Sequence, residues 1–341
     1  MKLPIEIIER IIEFADDYQI AMSLQDVISN SALSKFEKHI LIHGHVQGGK
    51  TKAIFDILHK TRGLKVVVVQ NSLLVLQQYK TRLENEGIRA QVIEKTTMSL
   101  TCDTVLVMAN FFRYSYFRKH VKHENFTLIV DEADQIYSGC PFTGKKTYFV
   151  TATPQSLESK VTFHKRIYLE VHPNYYGLNK INVQVSEYND ALLQFLDGPK
   201  GMMLMNHLDT VVAMEELAIT VANSYPEIPV VFLTSDKRIY YRNNVINVTR
   251  IQSITRIIDS LSEHNHIIFI ANRLSNRGLS YTSSDYTRHL TCQYTRLKRF
   301  TQFYQSLRIL GIYKDNPKLT LFVESDHERK SILALSKTQL I

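Results

Sequence analysis

Short, wholly apolar runs alternate with stretches of helical periodicity along most of this chain. Lys65 to Gln70 contains four consecutive valines, and Ile40-Leu41-Ile42, Thr104 to Met108, Thr127 to Val130 and Thr147 to Val150 also read as strands. Thr51 to Lys60 and Leu73 to Glu86 have helical spacing between them. Strands that are apolar at every position are buried on both faces, and such strands separated by helices imply a parallel sheet. A second cycle opens near residue 181. Its predicted strands are Gly201 to Asn206, Pro229 to Leu233, Asn244 to Val248, His266 to Ala271, His289 to Tyr294 and Lys318 to Val323. Helices are predicted over Thr210 to Ala222, Ile251 to Ser262 and Phe300 to Leu310.

Ahead of both cycles, Ile7, Ile8, Ile11, Ile12, Phe14 and Ala15 recur at helical spacing. His172 to Gly177 carries Pro, Asn, Tyr and Gly and is the expected linker. The expected organisation is a helical head over 1–35 and α/β domains over 36–175 and 176–341. No internal repeat or low-complexity tract interrupts it.

Composition narrows the class. A chain of 341 residues has room for two or three domains, and 44% hydrophobic with 22% charged residues is ordinary for a soluble protein. No apolar run approaches the roughly 18–20 residues that cross a bilayer, so no membrane partner is expected. Met1-Lys2-Leu3-Pro4-Ile5-Glu6 lacks a signal peptide's uninterrupted apolar core. Cys102, Cys140 and Cys292 fit no metal motif and cannot all pair, which suits a reducing, intracellular compartment. The net charge of +8 suits a polyanionic partner.

Two motifs carry chemistry. Gly44-His45-Val46-Gln47-Gly48-Gly49-Lys50-Thr51 satisfies G-x-x-x-x-G-K-[ST], and it follows a strand and opens a helix. In that setting Gly44, Gly48 and Gly49 let backbone N–H groups wrap a β-phosphate, Lys50 neutralises the β/γ-phosphates, and the Thr51 hydroxyl ligates Mg²⁺. About 80 residues on, Asp131-Glu132-Ala133-Asp134 ends the apolar run Thr127 to Val130. Asp131 is placed to reach that Mg²⁺, and Glu132 to polarise an attacking water. A chance glycine turn and a pair of acids capping a strand are the bland alternatives. Together they need two independent coincidences.

The order P-loop, Asp-Glu-Ala-Asp, then Thr151-Ala152-Thr153 resembles the ATP-binding half of superfamily 2 helicases of the DEAD/DEAH type. The resemblance implies two tandem RecA-like domains with parallel sheets, ATP as nucleotide, and a nucleic-acid partner held across the cleft. It makes Thr151 and Thr153 coupling residues and sets Val69-Gln70-Asn71, with the downstream Gln77-Gln78, against the nucleic-acid backbone. In the second half, Asn276-Arg277-Gly278-Leu279-Ser280 resembles the fifth motif, whose Arg-Gly (here Arg277 and Gly278) faces the phosphates, with Ser280 in place of the usual acid. Gln305-Ser306-Leu307-Arg308-Ile309-Leu310-Gly311 resembles the sixth motif, Q-x-x-G-R-x-G-R, with one residue fewer before Arg308 and Gly311 at the second arginine. Arg308 is thus the candidate arginine finger. No glutamine motif for adenine precedes Gly44, so ATP is implied by the family alone.

Phe111-Phe112-Arg113-Tyr114-Ser115-Tyr116-Phe117-Arg118-Lys119-His120 offers stacking rings beside Arg113, Arg118 and Lys119, and Tyr294 to Arg299 adds a second cluster. The first stretch fits equally an amphipathic helix with aromatics in the core and basic residues in solvent. Leu3-Pro4-Ile5-Glu6-Ile7-Ile8-Glu9-Arg10-Ile11-Ile12 resembles the opening of an F-box, which implies a ubiquitin-ligase adaptor as partner; a plain packing helix serves the same pattern. Such heads on unrelated domains resemble proteins of large eukaryotic DNA viruses, implying a host cell or virion setting. An ATP-dependent helicase or translocase is the leading reading. An ATP-gated adaptor with weak hydrolysis and an unrelated P-loop ATPase stand behind it.

Overall fold

The computed structural model describes residues 39–338, except 122–124, 143, 235–236, 250–251, 272–278 and 297–299. The helical head and its F-box-like segment, as well as Arg277 and Gly278, lie outside the described residues.

The first unit runs β1 (His39–His43), α1 (Lys50–Lys60), β2 (Lys65–Val69), α2 (Leu73–Asn85), β3 (Ala90–Val92), β4 (Thr104–Met108), α3 (Phe111–His120), β5 (Thr127–Asp131), α4 (Ala133–Ile136), β6 (Lys146–Thr151), α5 (Gln155–Glu158) and β7 (Lys165–Tyr168). Its seven strands form one sheet in the order β3-β4-β2-β5-β6-β1-β7, every pair parallel. The valine run of β2 shows why both faces must be covered. Val66 and Val68 pack in one cluster with Tyr114 and Phe117 of α3, whereas Val67 and Val69 pack in another with Leu76 and Tyr79 of α2. The edge strands β3 and β7 escape the hydrophobic pattern. The first is three residues long, and the second, Lys-Arg-Ile-Tyr, is mostly exposed. Short, charged edges of this kind discourage strand addition.

The chain continues through β8 (Tyr175–Tyr176), β9 (Asn182–Val185), α6 (Tyr188–Leu196), β10 (Gly201–Met205), α7 (Val211–Ser224), β11 (Val230–Leu233), β12 (Lys237–Tyr241), β13 (Asn244–Val248), α8 (Ile254–Ser260), β14 (His266–Ala271), β15 (Leu290–Tyr294), α9 (Phe300–Ser306), β16 (Gly311–Ile312), β17 (Thr320–Val323) and α10 (Asp326–Thr338). The second sheet has eight strands in the order β13-β12-β11-β14-β10-β15-β17-β9. It departs from the expected all-parallel arrangement at one edge, where β11, β12 and β13 are antiparallel. The cause is local. Arg242 and Asn243 join β12 to β13 at φ 49° and 59°, the two positive values of a tight hairpin turn.

The predicted helix from Phe300 to Leu310 stops at Ser306. The N–H groups of Arg308 and Ile309 are captured by the Gln293 side chain instead, at 2.9 and 3.0 Å. The expected linker stretch contains β8, which pairs antiparallel with β16. One continuous apolar cluster joins the two units, from Ile42 and Val46 through Tyr175 and Tyr304 to Leu204 and Phe269.

Candidate active site

The turn after β1 is built for close approach. Gly49 sits at φ +94°, where L side chains are strained, and immediately precedes the first turn of α1. A Cβ on Gly44 would come within 2.9 Å of Leu169 and 3.2 Å of the Lys50 side chain. Gln47, not a glycine, also takes a positive φ of 54°. The unpaired N–H groups at the start of α1 make this turn a natural anion cradle. Thr51 lies half-buried in the same helical turn.

Lys50 is 8% exposed and donates to the carbonyls of His45 (2.8 Å) and Gly44 (3.4 Å), lying back along the loop. Burial lowers its pKa, opposed by the charges of Glu132, Asp131 and Asp134 and reinforced by Arg308. Asp131 ends β5 and is itself buried; its Oδ2 accepts a 2.5 Å hydrogen bond from the Tyr79 hydroxyl of α2. Glu132 follows at φ 49°, and its buried Oε2 accepts no hydrogen bond. Burial pushes both carboxyls above the usual carboxylate range. The Tyr79 bond and Lys50 resist this for Asp131, and Lys50 and Arg308 resist it for Glu132.

Asp134 ties the next pieces together. It accepts from the hydroxyls of Thr151 (2.8 Å) and Thr153 (3.0 Å), and from Gln305 Nε2 (3.1 Å). The Gln305 amide also donates to the Thr153 hydroxyl. Residues from β6 and α9 therefore meet on one carboxylate. Arg308, 5% exposed, donates to the carbonyls of Leu279 (3.3 Å) and Gln305. Its own carbonyl accepts from Gln47 Nε2 at 3.0 Å, which fixes the segment onto the P-loop. Two further contacts cross the same seam: His45 Nδ1 with the Tyr304 hydroxyl at 3.1 Å, and the Tyr175 hydroxyl donating to the Val46 carbonyl at 2.8 Å.

Several of these residues carry no motif signal. Tyr79 and Tyr304 read as core aromatics in helices. Gln293 is the exception, because a glutamine inside the apolar strand Leu290–Tyr294 marks a buried polar group that must be satisfied. Its Oε1 holds the two N–H groups of Arg308 and Ile309, and its Nε2 donates to Asn206 Oδ1 (3.1 Å) and the Ser306 carbonyl (2.9 Å). Both amides are fully buried.

The residues matched to a nucleic-acid contact fall into two groups. Gln70 and Asn71, just beyond β2, line a cavity of about 690 Å³ together with Asn110, Phe111, Arg118 and Gln135. Gln78, by contrast, is buried and turned to the second unit. It donates to the Ser280 carbonyl and accepts from the Ser280 N–H, both at 3.0 Å, so it is not presented to a polymer. Arg113 is likewise committed within the fold, donating to the Ile93 carbonyl at 2.8 Å and pairing with Glu94 at 3.8 Å. Arg118 donates to the Pro141 carbonyl and lies 5.6 Å from the Phe142 ring centre; Lys119 is exposed, 5.6 Å from the Tyr116 ring centre. The aromatics of α3 divide: Tyr114 and Phe117 are core, whereas Phe111 and Phe112 face solvent.

Among the described residues no group of three or more His, Cys, Asp or Glu is arranged to hold a metal, and no helix is long and apolar enough to cross a membrane.

No family profile matches the sequence, and no curated protein matches it. Solved structures do. The chain is similar to S. cerevisiae Dbp5 bound to RNA and ADP BeF3, with TM-score 0.60 and 14% identity over 88% of this chain and 83% of that one. A variant of S. cerevisiae Dbp5 bound to a Gle1 variant and IP6 gives TM-score 0.54 and 13% identity over 89% and 82%. RecG bound to a three-way DNA junction gives TM-score 0.51 and 14% identity over 98% of this chain but 47% of RecG. At such identities the likeness is one of fold: two tandem RecA-like domains.

Proposed function

We propose that the chain is an ATP-dependent nucleic-acid helicase or translocase that hydrolyses ATP in the cleft between its two RecA-like domains. The supporting observation is the convergence of four charges on one turn: Lys50, Asp131 and Glu132 from the first domain, and Arg308 from the second, each acting electrostatically on Lys50 or with it on Glu132.

The chemistry follows from those positions. An incoming triphosphate offers Lys50 a better partner than the two carbonyls it now holds, and the N–H groups opening α1 cradle the β-phosphate. Glu132, whose pKa burial raises, orients water and takes its proton as the water oxygen attacks the γ-phosphorus. The bond to the β,γ-bridging oxygen breaks, and ADP and phosphate leave. While the phosphoryl group is in transit, Arg308 offsets its negative charge. Thr51 and Asp131 would hold Mg²⁺, and they fit it: both offer hard oxygen donors, and Mg²⁺ needs only one or two protein oxygens, taking the rest from water and phosphate. When bound it neutralises the β- and γ-oxygens.

Asp134, joined to Thr151, Thr153 and Gln305, relays the state of the nucleotide between domains. The polymer would lie beyond the ends of β2 and β4, against Gln70, Asn71, Arg118 and Lys119. RNA stands with Dbp5 and a DNA junction with RecG in the similar structures, which supports a nucleic-acid partner without choosing between the two.

The deciding experiment measures ATPase rate with single-stranded DNA, duplex DNA, RNA or no polymer, on the wild type and Lys50→Ala. Polymer-stimulated turnover that disappears in Lys50→Ala is expected. Turnover persisting in that variant overturns the reading, and nucleotide binding without any stimulation would favour a binding adaptor instead.

A further inference from the structure

We propose that Phe111 and Phe112 form a stacking platform for an unpaired nucleobase, at the rim of a cavity that holds the adjoining backbone. This rests on the nucleic-acid reading above and goes past it, because it assigns contact with bases where that reading needs only phosphates.

The two rings are the most exposed large aromatic side chains among the described residues. Phe111 is 78% and Phe112 66% exposed, and their ring centres lie 5.9 Å apart at 76°. They open α3, a helix without a single acid, whose last turn is Arg118-Lys119-His120. The start of the helix is held fixed: Asn110 accepts from the Arg113 N–H at 3.0 Å and donates to Asn71 Oδ1 at 2.8 Å. The start of α3 is therefore tied to the loop after β2.

Helical spacing sets what it can hold. Phe111, Ser115 and Arg118 fall on one face, and all three line the 690 Å³ cavity. Seven residues at 1.5 Å each put the Cα atoms of Phe111 and Arg118 about 10 Å apart along the axis. An aromatic face at one end and a cation at the other match a base and a phosphate of the same strand. Gln70 lines the same cavity, and its buried Oε1 accepts no hydrogen bond, an acceptor that a small rotation of the amide would offer to a base N–H or a ribose hydroxyl. Exposed phenylalanines could equally meet a partner protein, but an acid-free, basic helix beside this cavity complements a polyanion.

Short single-stranded DNA and RNA oligonucleotides carrying 2-aminopurine provide the probe, titrated into the full chain. The wild type is expected to change the fluorescence of the probe base as it stacks, and Phe111→Ala/Phe112→Ala to lose that signature. The double variant should bind roughly 5- to 150-fold more weakly per ring removed, with the salt dependence unchanged because phosphate contacts remain. Phe111→Trp should restore the signature. An unchanged thermal midpoint controls for folding, since both rings lie at the surface. If the wild type binds oligonucleotide but the double variant matches it in affinity and fluorescence, the platform is wrong and the helicase reading stands. If the wild type binds no oligonucleotide, both fall. A stable protein complex lost on the same substitutions, with oligonucleotide binding intact, would also overturn the platform.

Discussion

Gln305 Nε2 donates to Asp134 Oδ2 at 3.1 Å, joining α9 to α4 across 171 positions of sequence. The carboxylate already holds Thr151 and Thr153, so the third bond is the one that brings in the second domain. Gln305→Ala should leave nucleotide affinity within a few-fold and lower the polymer-stimulated rate. Asp134→Ala should do more, because it strands the buried hydroxyls of Thr151 and Thr153 at about 1–3 kcal/mol each, whereas the Gln305 amide keeps the Thr153 hydroxyl as acceptor. Steady-state kinetics with and without polymer separate the two effects; a rise in KM alone for Gln305→Ala would count against a coupling role.

Gln293 holds the two N–H groups that carry Arg308 and Ile309, and it does so without touching the phosphate cradle. Gln293→Leu is therefore expected to cut kcat while the dissociation constant for nucleotide moves little. An arginine finger is worth about 10³–10⁵ in rate, which bounds the loss in Arg308→Ala. Loss of Gln293 should fall below that bound, since Arg308 keeps its carbonyl partners. Single-turnover rates on both variants test the ordering, which fails if Gln293→Leu is as inactive as Arg308→Ala.

The Tyr79 hydroxyl stabilises the charged form of Asp131 and so opposes the effect of burial. Asp131 must be ionised to serve, so activity falls as pH drops through its pKa. Tyr79→Phe removes the opposing bond and raises that pKa further. The acid limb of the pH–rate profile should then move to higher pH, and a profile superimposable on the wild type would exclude the assignment.

His207 is buried between Tyr188 and Tyr294, and burial lowers its pKa to about 4. Unfolded, it titrates near 6.5, so between the two values the unfolded chain binds the extra proton. The stability this group contributes is present above pH 6.5 and lost as pH falls toward 4. The loss is at most about 3.4 kcal/mol, at 1.36 kcal/mol per pH unit. His207→Phe should flatten that part of the pH dependence of thermal unfolding; parallel wild-type and variant curves would refute it.

Much of this was legible because it is local. Four β-branched valines in a short run favour a buried strand, and a glycine turn between Ile42 and Thr51 places its own lysine. The antiparallel edge was not legible, because Arg242-Asn243 makes a hairpin turn without the glycine that advertises one. Nor was the end of α9, which is set by Gln293, an amide on another strand. Gln78 misled for a similar reason: its helix position is plain, but its partner at Ser280 lies 202 residues on. The Gln305–Gly311 segment departs in spacing from the motif it resembles, yet long-range bonds place it: Gln47 ties the Arg308 carbonyl to the glycine turn, Gln293 holds the Arg308 N–H, and Asp134 holds Gln305.

The Gln78–Ser280 pair has a consequence for what sequence change this cleft can absorb. The amide reads only the N–H and carbonyl of position 280, never its side chain. Any residue there except proline, which has no N–H, preserves the contact. Serine at 280, where the resemblance to the fifth motif leads one to expect an acid, therefore leaves this contact unchanged. The Ser280 side chain is left to a separate contact, with the Thr282 hydroxyl at 3.3 Å.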